Sequence, residues 1–379
     1  MRDNLCTTYK LSLCHLQKCL VANGLIETMV PSEADILIAG VCAAFDADEE
    51  RSITILSKLN IGKPLYVIGC MVAVRPDKMP DKAHLFYSWE YKKLFVELVP
   101  EPVVDWGDIE LPTEFRCRED YRIYDTTKHF VGICTGCAFE CFYCPHKIGA
   151  GNLVSRRMDE ILIQIHKLLS NGVKTIVLTG IDTASYGKDI GTSFPELMEN
   201  ILTLTGNHSI NYHIAQFNPE GIDERMVQCC SNPHITDLQL PIQTTSPRLL
   251  KIMNRNYKID DVTNFIKYVR DKNSNLFLRT DIMVGFPTES SVEFSDTVEY
   301  AASKFNEVAV YRYESKDCTP IEKLELPLCS PSVVDYRMEQ AGKYLKWIGC
   351  LFHFGGQDTT SLLLSDKKKY KMRGVNNAK

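Results

Sequence analysis

Residues 132–147, GICTGCAFECFYCPHK, place Cys137, Cys141 and Cys144 in a C-x3-C-x2-C spacing directly after an apolar stretch that predicts a strand. A structural zinc site needs four ligands, and no fourth partner stands at the usual spacing. Three thiolates on a four-iron cluster leave one iron open, and an open iron can bind a substrate or a cofactor. The loop therefore predicts an iron–sulfur cluster that takes part in chemistry. We interpret the neighbouring Cys134 as a buried thiol at the strand end.

Strands and helices alternate on the carboxyl side of this loop. The alternation predicts a complete or partial β/α barrel, in which functional loops follow the strands. The predicted strands are HFVGIC (129–134), KTIVLTG (174–180), INYHIAQF (210–217), ITDLQLPIQ (235–243), LFLRTDIMVGF (276–286) and VAVYRY (308–313).

Two continuous apolar runs, ADILIAGVC (34–42) and KPLYVIGC (63–70), lie on the amino side of the loop, with a helical stretch at 49–59 between them. Continuous runs predict strands that are covered on both faces, and hence a small parallel sheet. Each run ends in a cysteine, Cys42 or Cys70, at the strand end where ligands bind in open parallel sheets.

Together these patterns predict an α/β protein with a small parallel N-terminal domain and a partial β/α barrel. The expected divisions are an N-terminal domain at 1–105, a linker at 106–127, the partial barrel at 128–328, and a C-terminal helix with a basic tail at 329–379. Within the last segment, residues 335–354 read as the helix.

Composition excludes several classes of protein. The chain has 379 residues, 24% of them charged, and a net charge of −5, which argues against a surface built wholly to neutralise phosphates. An apolar run of about 18 residues and the pattern of a signal peptide are both missing, so we expect a cytoplasmic protein without a membrane partner. Fifteen cysteines in a reducing compartment favour metal ligation or redox chemistry over disulfides.

The three-cysteine loop, with the aromatic Tyr143 just before its last cysteine, resembles the radical S-adenosylmethionine (SAM) superfamily. A second trio, Cys6, Cys42 and Cys70, narrows the resemblance to the methylthiotransferases, whose N-terminal domain carries a second cluster. Further blocks match that family in order: EADILIAGVC (33–42), YVIGCMVAVRP (66–76), VKTIVLTGIDTASYGKDIGTSFPELMENI (173–201), LQLPIQTTSPRLLKIMNRNY (238–257), RTDIMVGFPTESSVEFSDT (279–297) and YRYESKDCTP (311–320).

The resemblance implies an enzyme with two [4Fe-4S] clusters and SAM as cofactors. It implies that SAM binds the open iron held by Cys137, Cys141 and Cys144 and yields a radical that removes hydrogen from an unactivated carbon. The second cluster then supplies the methylated sulfur. Its expected ligands are Cys6, Cys42 and Cys70, with Cys14 as the alternative third ligand because Tyr9 departs from the family pattern after Cys6. A one-electron donor such as flavodoxin or ferredoxin is the expected partner.

Polar residues at the predicted strand ends are the candidate SAM contacts, together with Tyr143. A glycine lets the backbone approach a ligand, a carboxylate accepts hydrogen bonds, and an arginine suits a carboxylate. Each residue is equally suited to capping a helix or holding a loop. The candidates are Thr179, Gly180, Asp182, Gln243 and Arg279.

The family match ends near Leu326, and the C-terminal β-barrel of the TRAM type that methylthiotransferases usually carry is expected to be lacking. On that basis a peptide or protein side chain is the favoured substrate. The block at 178–192, LTGIDTASYGKDIGT, is closer to the tRNA-modifying branch, so methylthiolation of the adenosine-37 type is the alternative. Basic residues of the tail would contact phosphates in that case, although such runs are commonly solvated: Lys367, Lys368, Lys369, Lys371 and Arg373.

Two alternatives of other kinds stay open. A non-catalytic iron–sulfur or zinc scaffold would use the same cysteines without needing the LTG, PIQ and MVGFP blocks. A different radical SAM reaction, such as simple methylation, would not need the trio Cys6, Cys42 and Cys70.

Overall fold

The computed structural model describes residues 1–114 and 127–355. Most of the predicted linker beyond residue 114 and the whole basic tail, including Lys367 to Arg373, lie outside the described residues. No helix in the described ranges is long and apolar enough to span a membrane.

The N-terminal domain is built on a parallel four-stranded sheet with the order β1-β2-β3-β4. Its strands are β1 (Arg2–Asp3), β2 (Leu37–Val41), β3 (Leu65–Gly69) and β4 (His84–Phe86), and its helices are α1 (Thr7–Ala22), α2 (Asp46–Leu59), α3 (Met71–Val74) and α4 (Tyr91–Leu98). On one face α1 and α4 pack against Ile38 and Ile68, and on the other α2 packs against Ala39 and Val41. Burial on both faces explains why these strands read as continuous apolar runs.

The second sheet is parallel, with seven strands in the order β13-β12-β11-β10-β9-β8-β5, and it confirms the predicted partial barrel. Two short strands, β6 and β7, form a separate antiparallel pair. The strands are β5 (His129–Gly132), β6 (Cys134–Thr135), β7 (Val154–Ser155), β8 (Thr175–Thr179), β9 (Asn211–Ile214), β10 (Ile235–Gln239), β11 (Phe277–Val284), β12 (Glu307–Arg312) and β13 (Leu351–Phe354). The helices are α5 (Pro145–Ala150), α6 (Met158–Ser170), α7 (Phe194–Thr205), α8 (Glu224–Cys230), α9 (Pro247–Ile252), α10 (Ile259–Lys272), α11 (Ser291–Lys304) and α12 (Pro331–Trp347).

The end of the barrel differs from the prediction. The sequence predicts one helix at 335–354 outside a barrel that ends at residue 328. In the structure α12 stops at Trp347, Gly349 turns the chain with a φ of +73°, and β13 then pairs in parallel with β12 as an edge strand of the sheet. The prediction of helix through residue 354 is wrong because a glycine reverses the chain and the following Leu-Phe-His-Phe segment completes the sheet.

The two domains meet through the segments that follow their strands. Phe45, just after β2, stacks on Tyr311 of β12 with the ring centroids 5.2 Å apart. The Lys316 ammonium lies 2.6 Å from an Asp46 oxygen and 3.2 Å from a Glu49 oxygen. The carboxyl ends of the strands in both sheets therefore face one shared region.

We expect Leu345→Ala to lower the free energy of unfolding by about 2–5 kcal/mol, because Leu345 is fully buried between α12 and the sheet. Trp347→Ala is the matched control in the same helix, since Trp347 is 80% exposed and its removal should change stability little. Urea denaturation measures both variants. Equal small effects would contradict the packing of α12 on the barrel.

Candidate functional site

The loop with Cys137, Cys141 and Cys144 follows the first barrel strand and is fixed by backbone contacts. The antiparallel pair β6–β7 closes its base, and the Phe142 N–H donates to the Met253 carbonyl at 3.0 Å. Lys147 Nζ donates to the Cys137 carbonyl at 2.7 Å. The pKa of Cys137 responds to the charges of Cys144 and Cys141, and that of Cys141 responds to Cys144, so the three side chains lie within electrostatic reach of one another.

The thiols of this loop differ in how readily they ionise. Burial raises the pKa of Cys137, and it raises the pKa of Cys141 to about 12. Burial also tends to raise the pKa of Cys144, but the interaction with His146 outweighs burial, and the pKa is lowered. The His146 Nδ1 lies 3.8 Å from the Cys144 sulfur. Because a bound thiolate must lose its proton, a cluster that assembles here releases protons.

The second trio lies at neighbouring strand ends of the N-terminal sheet. Cys42 and Cys70 directly follow β2 and β3 and are 6% and 4% exposed, and Cys6 follows β1. Burial raises the pKa of Cys42 and of Cys70, and the charge of Cys6 raises both further. Cys14 lies inside α1. The geometry therefore favours Cys6 over Cys14 as the third candidate ligand.

The thiol chemistry of these two cysteine sets is compatible with a four-iron cluster. Within the described ranges no three His, Cys, Asp or Glu side chains are close enough together to hold one metal ion. In a four-iron cluster each thiolate binds a different iron atom, so the sulfurs lie farther apart than the ligands of a single metal ion do. All cysteines of the two trios are free thiols.

A buried serine holds the backbone of Cys42 in place. The Cys42 N–H donates to Ser52 Oγ at 2.9 Å, and the Ser52 hydroxyl donates to the Cys42 carbonyl at 2.7 Å. Asn4, two residues before Cys6, donates to Ser52 Oγ at 3.4 Å. Ser52 thus ties α2 to two of the strand ends that carry candidate ligands.

Helix α5 connects the two trios. It begins directly after Cys144, and its Gly149 packs so closely on Cys70 that a Cβ at Gly149 would lie 2.6 Å from the Cys70 Cβ. Ser88, just after β4, donates to the Gly149 carbonyl at 2.5 Å. The short helix therefore fixes the position of one trio relative to the other.

Three of the predicted SAM contacts lie beside the loop, where they also shape it. Gly180 packs against Cys134, whose Sγ would be 2.7 Å from a Cβ at position 180. Asp182 is 3.7 Å from Cys137 Sγ and accepts hydrogen bonds from the Ser185 hydroxyl and the Ala184 N–H. Thr179 is buried at the end of β8.

The other two predicted contacts have different surroundings. Gln243 lies in the loop after β10 with a φ of +63°, and its N–H donates to the Asp281 carbonyl at 2.8 Å. Arg279 was expected at a strand end, and that position is wrong, because β11 continues five residues beyond it to Val284. Its Nε donates to Asp237 at 2.8 Å, so the guanidinium is already paired.

The sequence reasoning missed Arg255, a buried cation beside the loop. Arg255 is 6% exposed, and it donates to the Tyr143 hydroxyl at 3.1 Å and to Asn218 Oδ1 at 2.9 Å. Its charge acts on Cys141, and its Nε has no partner among the described residues. A spare N–H beside the cysteine loop suits a carboxylate. Arg255 lies in the MNRNY segment (253–257), which directly follows helix α9.

Residues 131–301 match the sequence model of the family described as "Radical SAM superfamily". A "tRNA-2-methylthio-N(6)-dimethylallyladenosine synthase" of Acetivibrio thermocellus is 30% identical over 81% of this chain and 68% of its own length. A "Ribosomal protein uS12 methylthiotransferase RimO" of Alkaliphilus oremlandii is 30% identical over 77% of this chain and 69% of its own.

A "Probable threonylcarbamoyladenosine tRNA methylthiotransferase" of Methanocaldococcus jannaschii is 30% identical over 70% of this chain and 64% of its own length. The chain thus spans about two thirds of the length of these relatives. The solved structure of the radical SAM methyltransferase TsrM from Kitasatospora setae superimposes with a TM-score of 0.58 at 12% identity, over 84% of this chain and 76% of TsrM, which is a likeness of fold.

We expect Ser52→Ala to lower the free energy of unfolding by about 1–3 kcal/mol, because the buried Cys42 N–H loses its acceptor. Ser57→Ala is the matched control on the same helix, since Ser57 is exposed and donates only to the Ile53 carbonyl. Thermal or urea unfolding of both variants measures the difference. If Ser57→Ala lowered the free energy of unfolding more than Ser52→Ala, the stabilising role of the Ser52–Cys42 hydrogen bonds would be refuted.

Proposed function

The chain belongs to the radical SAM methylthiotransferase family, and from that premise we propose that it attaches a methylthio group to an unactivated carbon of its substrate. The observation that supports this reaction most directly is the pair of three-cysteine sets that face each other across α5. Clusters and SAM, when bound, supply the one-electron chemistry that such a carbon requires. The protein contributes binding, position and the exclusion of water.

Each cysteine set has a distinct proposed role. Cys137, Cys141 and Cys144 would hold the cluster that binds SAM. Arg255 would orient Tyr143 and direct its free Nε toward the carboxylate of SAM. The second set, Cys6, Cys42 and Cys70, would hold the cluster from which sulfur is delivered.

For the substrate, we propose a peptide or protein side chain. The net charge of −5 and a 30% identical relative named for ribosomal protein uS12 support this choice. The second candidate is an adenosine of tRNA, which is supported by the tRNA-modifying relatives of Methanocaldococcus jannaschii and Acetivibrio thermocellus. A one-electron donor of the flavodoxin or ferredoxin type completes the proposed set of partners.

We expect anaerobic reconstitution to give about eight iron and eight sulfide per chain, and about four of each in the Cys42→Ala/Cys70→Ala variant. That variant should still cleave SAM to 5′-deoxyadenosine but form no methylthio product. A Cys137→Ala/Cys141→Ala/Cys144→Ala variant should form no 5′-deoxyadenosine, because SAM then has no open iron. Metal analysis and mass spectrometry of the products measure these quantities.

Two outcomes would refute this assignment. One zinc and no sulfide per chain would support the scaffold alternative. Methylthio product from the Cys42→Ala/Cys70→Ala variant would show that the second set is structural.

The substrate classes differ in their response to salt. When a nucleic acid binds through several phosphates, its association constant falls steeply as the salt concentration rises. The logarithm of that constant falls with the logarithm of the salt concentration by about 0.7 to 0.9 per phosphate neutralised. A mainly apolar peptide contact changes little. We expect a shallow slope when substrate affinity is titrated between low and moderate salt, with methylthiolated peptide as the product. A steep slope together with a methylthioadenosine product would favour tRNA instead.

A further inference from the structure

The outer side of the barrel loop (136–144) carries a lysine that the proposed reaction does not use. Lys188 lies in the segment that follows β8, and its side chain is exposed. Its Nζ stands 4.0 Å from the centroid of the Phe139 ring, which is part of the barrel loop. An ammonium group over an aromatic face is attracted by the ring. The contact therefore holds a positive charge against the outside of the loop.

Phe139 connects this charge to a candidate cluster ligand. Its backbone N–H donates to Cys137 Sγ at 3.4 Å. Ala138, between the two, is exposed, and its N–H donates to Ser185 Oγ at 3.1 Å, which fixes the loop backbone. An exposed part of the loop is thus in direct contact with a ligand sulfur. Electron transfer falls off steeply with distance, so such a short path suits the entry of an electron.

The carboxylates next to Lys188 and Phe139 in the sequence are engaged elsewhere. Asp189 accepts from the Ser155 N–H at 2.8 Å, and an oxygen of Glu140 lies 3.2 Å from Lys147 Nζ. Within the described ranges Lys188 forms no ion pair with either of them. On a chain with a net charge of −5, an exposed cation without an acidic partner at this loop favours contact with an acidic molecule.

Exposed apolar side chains adjoin the barrel loop. Val154 of β7 is 57% exposed and pairs with Thr135, which directly precedes the loop. Trp89 is 44% exposed and packs on Gly151, and Tyr87 stacks on Trp89 with the ring centroids 4.8 Å apart. Aromatic and apolar side chains beside an exposed charge are the composition of a protein–protein contact rather than of an ordinary surface.

We propose that the loop face, formed by Phe139, Lys188, Val154 and Trp89, is the docking surface of a small acidic electron-carrier protein. The inference rests on the proposed function, because it requires a cluster on the barrel loop. Contacts between electron-transfer partners are small and short-lived, and complementary charge guides their encounter. One electron leaves the carrier, which is oxidised, and reduces the cluster, and no bond forms or breaks in this transfer.

The first measurement is the binding of oxidised acidic flavodoxin to the full-length protein, by isothermal titration calorimetry at low salt. We expect Lys188→Gln to weaken binding about two- to fivefold, because an exposed charge pair is lost. Lys188→Glu should weaken binding about tenfold, since it places like charges opposite each other. Lys188→Arg keeps the charge and should keep the affinity. Added salt should reduce these differences, because it screens exposed charges.

Lys174→Glu is the matched control. Lys174 is exposed and directly precedes β8, so it lies at the opposite end of that strand from the segment with Lys188. The substitution changes the total charge as much as Lys188→Glu does. It should leave the affinity for flavodoxin close to that of the wild-type protein.

The second measurement is the formation of 5′-deoxyadenosine from SAM by the reconstituted protein. With reduced flavodoxin below saturation, the rates of the variants should fall in the same order as their affinities. Reduced methyl viologen is a small cation that needs no docking surface. With this reductant, the wild-type protein and the variants at position 188 should react at equal rates.

Several results would overturn the inference. Equal flavodoxin affinities of the wild-type protein and Lys188→Glu would do so, and so would an equal loss in Lys174→Glu. Lack of binding of both flavodoxin and an acidic ferredoxin to the wild-type protein would have the same meaning. If Lys188→Glu weakened the binding of a tRNA transcript but not of flavodoxin, the loop face would contact nucleic acid instead. A wild-type protein that forms no 5′-deoxyadenosine with reduced methyl viologen would refute the proposed function itself.

Discussion

The missing side chain at Gly149 is the constraint on which the arrangement of the site depends. Any Cβ there would overlap the Cβ of Cys70, so a larger residue would push α5 away from the N-terminal sheet. Because α5 starts directly after Cys144, that shift would also displace the barrel loop. The distance between the two cysteine sets is thus fixed by one close backbone contact.

Similar backbone constraints hold each cysteine set separately. Gly180 gives room to Cys134, which closes the base of the barrel loop, and Asp182 accepts hydrogen bonds from the turn that follows β8. In the N-terminal domain, Ser52 holds the backbone of Cys42 through two hydrogen bonds. Short-range contacts of this kind place the sulfurs before a cluster binds, which lowers the ordering cost of assembly.

The sequence was most informative where one residue type has few alternatives. The cysteine spacing of the barrel loop predicted one trio, and the continuous apolar runs predicted the parallel N-terminal sheet, because thiolate ligation and two-sided burial each leave a clear pattern. The trio Cys6, Cys42 and Cys70 was instead implied by the family resemblance. Arginines are less specific. The sequence alone does not distinguish the roles of Arg279 and Arg255. In the structure Arg279 pairs with the Asp237 carboxylate, whereas Arg255 lies beside Cys141. That difference depends on neighbours far apart in the chain.

Lys316 has a consequence for motion between the domains. Its side chain is 4% exposed and reaches from the segment after β12 to Asp46 and Glu49 of α2. Swinging the N-terminal domain away would separate Lys316 from both carboxylates and leave the buried Glu49 with Arg75 of its own domain as an ion-pair partner. Lys316 therefore favours the contact between the domains, so a hinge motion that opened the site would first have to break this ion pair.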